Sequence, residues 1–419
     1  MWEIITNNFF LNNINLLFLV AGFLISIFTL FSSWKKIKNY KILFSGLILI
    51  FIINYSLVIS TTNWLIFMIG WEMVTLTTAL LLVWDDKNIA LEYFVIQFMG
   101  GSFLILTVLT AYTNGYHIIG AVNEFWLQLM FIIGLGVKSA VIGLHNWLPN
   151  IYKKASTSFC ALSSGLAAKL GYITLLKIIT EGNRVLLYLG MIMIYYGGIK
   201  ALEEKNYKLI LGYSSISQFG FITLAIGSGN IYGYYGAVLH IIAHAFAKST
   251  LFNSAGNWII EFNSTSIFDF KLCGLRQKIN TFSTILSFLS LMAFPFFLGY
   301  NSKHLIKYSL SSIPMFEFLL HLGSILTAAY ALKILWIIIF KDLKESNFNL
   351  KTKTNYQPTI IENFSILLPA IFLIILSITT DKYLGRQFDF HYLTGFFTTF
   401  VYLIIAYLIR FPIMSRIDH

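Results

Sequence analysis

Long apolar runs separated by short polar connectors recur from one end of the chain to the other. With about 20 apolar residues taken as one bilayer crossing, the pattern predicts helices over 15–33, 42–60, 64–84, 91–113, 126–148, 157–180, 185–199, 209–227, 233–258, 281–308, 316–340, 361–380 and 392–411. The expected fold is therefore an all-α polytopic membrane protein. The first run follows a polar stretch with one acid and no Lys or Arg, so it reads as a retained helix and not a cleaved signal peptide. The longest polar connector, Lys341 to Gln357, is too short to be a domain.

The connectors test this count, because basic residues should fall in alternate loops. Lys35, Lys36, Lys38 and Lys41, then Lys87, Lys153 and Lys154, Lys200, Lys205 and Lys208, Lys271, Arg276 and Lys278, Lys341, Lys344, Lys351 and Lys353, and finally Arg410 and Arg416 all fall on one side. Only Arg184, Lys382 and Arg386 fall opposite. The positive-inside rule then places the N-terminus outside and the C-terminus in the cytoplasm or its equivalent, such as a mitochondrial matrix.

Composition narrows the classes. Of the 419 residues 57% are hydrophobic and 11% charged, and the mean hydropathy is +0.75, which excludes a water-soluble fold. The net charge of +11 sits mostly in connectors, so it marks a membrane side and not a nucleic-acid surface. Cys160 and Cys273 are far apart without a Cys-x-x-Cys pair, too few for an iron-sulfur cluster or a structural zinc site. No strand-to-helix Gly-x-Gly-x-x-Gly stands ready for a dinucleotide. No cofactor, metal or catalytic residue is expected, and whether the chain counts as an enzyme stays open.

Several charges fall inside the spans, where one at the bilayer centre costs about 2.5–3.5 kcal/mol on insertion scales. Glu72 and Lys138 each read as mid-helix, Lys169 lies in SSGLAAKLGYITLL, and Lys303 in FPFFLGYNSKHLIKY. His240, His244 and Lys248 recur every four residues and form one polar stripe. A single such residue can be a snorkelling lysine or interhelical glue, and Lys177 and Lys307, near helix ends, are read as snorkelling. The set as a whole sits too deep for that. Histidine and desolvated lysine exchange protons near neutrality, so the set reads as a proton wire in which Glu72 and Lys138 form a switchable pair. Gly134 and Gly136 before Lys138, and Pro295 and Gly299 before Lys303, are the expected helix breaks around an ion path.

These residues also carry a resemblance. GLGVKSAVIGLHNWLPNIYKKASTSFCALSSGLAAKLGYITLLK, KLILGYSSISQFGFI, LHIIAHAFAKSTLFNSAGNWI and GWEM resemble, in order, motifs of the antiporter-like proton-pump membrane subunits found in respiratory complex I (NADH:quinone oxidoreductase), Mrp Na+/H+ antiporters and membrane-bound hydrogenases. The match covers roughly residues 15 to 310. It implies two inverted five-helix repeats, each with a broken helix. It further implies that Glu72 and Lys138 are the coupled pair, Lys169 the bridging lysine, His240, His244 and Lys248 the central relay, and Lys303 the lysine of the second broken helix. Tyr213, Ser214, Ser215 and Gln218 are assigned structural polar contacts. The chain departs from the family at Ala155-Ser156-Thr157-Ser158-Phe159-Cys160, where two prolines are usual, at Asn150, where Asp is usual, and at Phe294-Pro295, where two prolines are common. The first span aligns with the family's third helix, which implies that about two N-terminal helices are lacking, and the long lateral C-terminal helix of the distal complex I subunit is also lacking.

The expected organisation is 1–63 as N-terminal helices, 64–310 as the translocation core and 311–419 as C-terminal transmembrane helices. The expected function is a proton or Na+/H+ translocating subunit, Mrp-type or complex I-like, without redox chemistry of its own. Its expected partners are other integral membrane subunits, lipid, protons and Na+, with no nucleic acid, in a bacterial inner or mitochondrial inner membrane. One alternative is a stand-alone secondary transporter of a small solute, which would gather the polar residues into one pocket. A membrane-embedded transferase would need a paired acid and base such as Asp85 and Asp86, which read instead as a solvated corner.

Overall fold

The computed structural model describes residues 13–37, 40–270, 276–339, 356–384 and 390–417, with the side chains of 409–417 excepted. Lys38, Lys271, Cys273, Lys341, Lys344, Lys351, Lys353 and Arg386 lie outside the described residues. The described residues form α-helices and no β-strand: α1 (Asn13–Ser33), α2 (Lys41–Ser60), α3 (Trp64–Leu82), α4 (Lys87–Thr113), α5 (Phe125–Lys138), α6 (Trp147–Lys154), α7 (Thr157–Gly165), α8 (Leu170–Ile178), α9 (Arg184–Glu203), α10 (Tyr207–Ser228), α11 (Ile231–Phe262), α12 (Lys278–Leu291), α13 (Leu298–Ser309), α14 (Pro314–Ile339), α15 (Ile360–Leu384) and α16 (Tyr392–Ile417). Helices are what a bilayer permits, since each backbone polar group must find its partner within the segment. Nine of these spans, α7 and α8 counted as one, are long and apolar enough to cross a membrane.

Short polar residues start many of the helices. Asn63, Asp86, Ser156, Asn183, Asn206 and Asn230 cap α3, α4, α7, α9, α10 and α11, each side chain accepting a backbone N–H of the first turn, a device worth about 1 kcal/mol per cap. The longest helix, α11, carries polar residues along its length because lipid is not its solvent: nearly all of it from Gly236 to Trp258 is buried in protein. By contrast α4 turns Leu91, Val95, Phe98, Met99, Leu106 and Leu109 outward.

A helix or a pair of helices stands at every predicted run; two runs are broken by a loop, between α5 and α6 and between α12 and α13, and a third is interrupted only by the short 3-10 turn between α7 and α8. The breaks share one backbone design. After α5, Ala140 takes φ +51°, its N–H reaches Val137 O (3.2 Å), and Val141 N–H reaches back five residues to Gly136 O (2.9 Å). After α12, Ala293 takes φ +61°, its N–H reaches Ser290 O (3.0 Å), and Phe294 N–H reaches Leu289 O (2.9 Å). Each is a Schellman stop with alanine in the left-handed position that glycine normally fills. The interruptions therefore lie at 139–146 and 292–297. Gly134 and Gly136 are not at the break: they are inside α5, where Gly134 lets the backbone of Leu104 approach closely. Pro295 is in the second break and Gly299 in the first turn of α13.

The same matching extends to other elements. Lys177 of α8 donates to Ile59 O, one residue before the end of α2 (2.6 Å). Lys333 of α14 donates to Leu202 O, one residue before the end of α9 (2.7 Å), and to Glu204 O (2.5 Å). Asn63 before α3 forms an isolated antiparallel bridge with Ile118, and Asn206 before α10 forms one with Ser266. The chain is thus two five-element repeats, α2 to α8 and α9 to α14, with the break in the fourth element of each. The first begins on the second crossing and the second on the seventh, so their membrane orientations are opposite. Lys177 is consequently not a snorkelling side chain but a clamp on a helix end.

Candidate proton relay

The two broken helices each offer the end of a half-helix inside the protein, where carbonyls lack intrahelical partners and the helix dipole is negative. A cation is stable there. Lys138 is the last residue of α5 and so stands at the break, not in mid-helix as the apolar pattern predicted. Its ammonium, 2% exposed as a residue, crosses to α3 and donates to Trp71 O (2.9 Å) and Thr75 Oγ1 (2.8 Å), with the Trp71 ring 4.1 Å away. Lys303 reaches an equivalent place from the other direction. It stands in α13 but donates backward across the break to Leu291 O, the last residue of α12 (2.9 Å), over the Phe221 ring at 4.1 Å.

Glu72 lies on α3 between the two residues that hold Lys138. It makes no ion pair with that lysine among the described residues; its Oε1 is buried without a protein partner. The carboxylate is packed instead against Gly101 of α4, where an added Cβ would come within 2.9 Å of Glu72 Cδ. The absence of a side chain at Gly101 makes room for the acid.

Lys169 ends a short 3-10 turn, Ala167–Lys169, that interrupts the sixth crossing between α7 and α8. The irregularity frees the Ser164 carbonyl, which accepts from the Lys169 ammonium. Lys169 also faces the Phe219 ring at 5.3 Å, a ring that packs against His244 at 5.1 Å and Tyr172 at 5.4 Å between centroids. Phe221, two residues on, does the same for the next pair: its ring is 5.7 Å from His240 and 4.1 Å from the Lys303 ammonium. Two phenylalanines of α10 thus space Lys169, His244, His240 and Lys303. Lys248 closes the stripe on α11, donating to Leu211 O (2.8 Å) and Ser214 Oγ (2.5 Å). His240, His244 and Lys248 are all fully buried.

The histidines differ in their bonding. Ser302 donates its single hydroxyl proton to Gly299 O (2.9 Å), so its oxygen accepts from His240 Nδ1–H (2.9 Å), which leaves Nε2 as the basic nitrogen. Neither ring nitrogen of His244 has a protein partner.

Several participants had no signal in the apolar pattern. Thr75, Trp71, Phe219, Phe221 and Ser302 are ordinary membrane-helix residues until the fold places them beside an ammonium or an imidazole. Ser214, assigned a structural contact, is the hydroxyl partner of Lys248, while Ser215 pairs with Ser164 (2.9 Å) and Gln218 donates to Thr327 and Tyr330 (both 3.1 Å). His145, in the loop of the first break, is 6% exposed with Nε2 unpartnered by protein. No hydrogen bond joins Lys138 to Lys169, but the segments meet: Tyr172 donates to Ser139 O (2.9 Å), and Gly171 packs on the Leu135 carbonyl. Lys307 is ion-paired with Glu317 (3.5 Å).

Residues 61–328 match a family model described as NADH:quinone oxidoreductase/Mrp antiporter, TM. The chain is 30% identical over 353 residues to NAD(P)H-quinone oxidoreductase chain 4, chloroplastic, of Lolium perenne, covering 76% of this chain and 70% of that one. Its fold is similar to a chain of respiratory complex I from Thermus thermophilus (TM-score 0.75, 20% identity, 90% of this chain and 86% of that chain). It is similar also to a chain of the Mrp complex from Dietzia sp. (TM-score 0.77, 18% identity, 96% and 86%).

Proposed function

Because the chain belongs to the NADH:quinone oxidoreductase/Mrp antiporter transmembrane family and is an antiporter-like proton-translocating membrane subunit, we propose that its protons move along Glu72, Lys138, Lys169, His244, His240, Lys248 and Lys303. All seven lie within 64–310, which we assign as the translocating core, with 1–63 and 311–419 as flanking segments. The observation that carries this reading is the arrangement around α10, where Phe219 lies between Lys169 and His244 and Phe221 between His240 and Lys303. Four titratable groups from α7–α8, α11 and α13 are thereby strung laterally through the protein interior. Each lysine of the series is held only by carbonyl and hydroxyl oxygens, partners that accept from an ammonium without fixing its charge as a carboxylate would.

The path suits protons and not a bare metal cation. Lysine offers only donors, whereas Na+ needs oxygen ligands, so Na+ exchange would take place elsewhere in an assembly. A single-pocket solute site is disfavoured because the cavity at Lys303, about 160 Å³, is lined by none of the other six residues. We further assign the basic connectors to the cytoplasmic or matrix side, with integral membrane subunits as partners. Reconstitution of the intact complex in proteoliposomes tests the assignment: Lys138→Ala and Glu72→Gln should each abolish coupled proton transport, and normal transport in both would overturn it.

A further inference from the structure

A large cavity lies away from the relay. It has a volume of about 670 Å³ and opens where the α1–α2 turn, the α3–α4 corner and the α6–α7 junction meet the start of α10 and the end of α11. Three lysines line it, Lys36, Lys154 and Lys208, against one acid, Asp85. That acid is already engaged, accepting from Ser156 N–H at 2.6 Å. Lys36 and Lys208 donate only to backbone carbonyls, of Asn253 (3.3 Å) and Ala155 (2.8 Å), and among the described residues none of the three forms an ion pair. An ammonium has three donors, so Lys36 and Lys208 each keep donors for a ligand. Lys208 is 7% exposed, and burial pulls the Lys36 ammonium down to about 8, with Glu362 opposing the shift. The acids nearby, Asp85 and Glu362, already accept from Ser156 N–H and from Tyr356 O–H and Thr359 N–H, and among the described residues neither closes an ion pair with these lysines, so burying the two ammoniums stays costly. An anion would relieve that cost.

The rest of the wall shows what kind of anion. Tyr40 and Trp84 stack at 6.0 Å between centroids, both with exposed rings, as aromatic residues do at the headgroup level of a bilayer. Phe44, Leu81, Ile259 and Ile260 continue the lining with apolar surface. The cavity is therefore cationic at its floor and aromatic and aliphatic along its side, complementary to an amphiphile and not to a small free ion. Ser156 and Ser158 are also in this wall.

We propose that this cavity binds the phosphate headgroup of an anionic phospholipid, with Lys36 and Lys208 holding the phosphate, Lys154 at the rim, and an acyl chain leaving along Phe44 and Trp84. The lipid would join five segments of the basic face that otherwise meet around a polar opening.

The test uses the full chain purified in detergent, incubated with phosphatidylglycerol or phosphatidylcholine vesicles, and read by native mass spectrometry for retained lipid. The wild type should retain one phosphatidylglycerol per chain and at least tenfold less phosphatidylcholine. Lys36→Gln/Lys208→Gln should lose that retention, Lys36→Arg/Lys208→Arg should keep it, and the exposed Lys87→Gln on the same side should leave it unchanged. Equal retention of the two lipids, or undiminished phosphatidylglycerol in the Gln pair, overturns the proposal. If inorganic phosphate alone gives the same thermal protection as the lipid, the occupant is a free ion and the lipid assignment fails. Loss of retention in the Arg pair as well, with folding intact, would also count against a phosphate held by these two cations.

Discussion

Lys303→Met separates the chemistry of the relay from its structural support. Removing the ammonium deletes its bond to Leu291 O, a charge-assisted bond worth about 1.5–3 kcal/mol, at a helix end where the dipole adds up to about 2 kcal/mol. Against this stands the cost of a charge deep in the membrane, about 2.5–3.5 kcal/mol, which methionine does not incur. Methionine also keeps the stem beside Phe221 and a sulfur-aromatic contact of about 0.3–1.5 kcal/mol. The opposing changes nearly cancel, so the variant should fold with a net loss of no more than about 1–2 kcal/mol. At roughly 2–4 °C per kcal/mol for a domain of 150–250 residues, and less for a longer chain, the melting temperature should fall by only a few degrees. Proton transport should nevertheless stop. Lys303→Arg sharpens the contrast, because arginine preserves the charge and the carbonyl bond but does not release its proton: the thermal transition should match wild type while transport stays abolished. The assay is a pH-sensitive dye in proteoliposomes beside thermal unfolding of the same preparation. Undiminished transport in the arginine variant would refute the role of Lys303 as a proton carrier and leave it a helix-end cap.

Two further outcomes follow from the packing. Gly101→Ala places a methyl where the Glu72 carboxylate lies, so it should slow proton transport several-fold without removing any ionisable group; a normal rate would show that the position of Glu72 is not critical. Lys177→Met and Lys333→Met, which release the matched clamps on α2 and α9, should each lower stability by about 1–3 kcal/mol in thermal unfolding while leaving the proton yield per driving event intact, and a lost yield would place these lysines in the path.

The helices were legible because a bilayer imposes a length on every apolar run, and each predicted run coincides with one helix or with a pair separated by a break. The seven ionisable residues were legible for the converse reason, that charge in an apolar run is costly. Helix breaks were less so. Glycine and proline mark breaks when they supply the unusual backbone, but here Ala140 and Ala293 take the left-handed conformation, and alanine carries no such mark. Gly134 and Gly136 serve close packing instead. Side-chain direction was not legible either: Glu72 and Lys138 pack around adjoining positions of α3, yet one points to Gly101 and the other to Trp71 and Thr75. Lys333, fully buried, passed unnoticed in its apolar run, although its place near the end of the fifth element matches that of Lys177. The inverted repeat was the signal, and it emerged only once both helix ends were in view.

The central claim is that the two halves work in series through Lys169, which lies between the first broken helix and the histidine stripe. Its most direct test is the proton flux of reconstituted Lys169→Gln complex, measured beside its driving reaction in the same vesicles. Flux reduced to the passive leak, with the protein folded and the remaining six residues intact, is the predicted result. Flux at the wild-type level would contradict it.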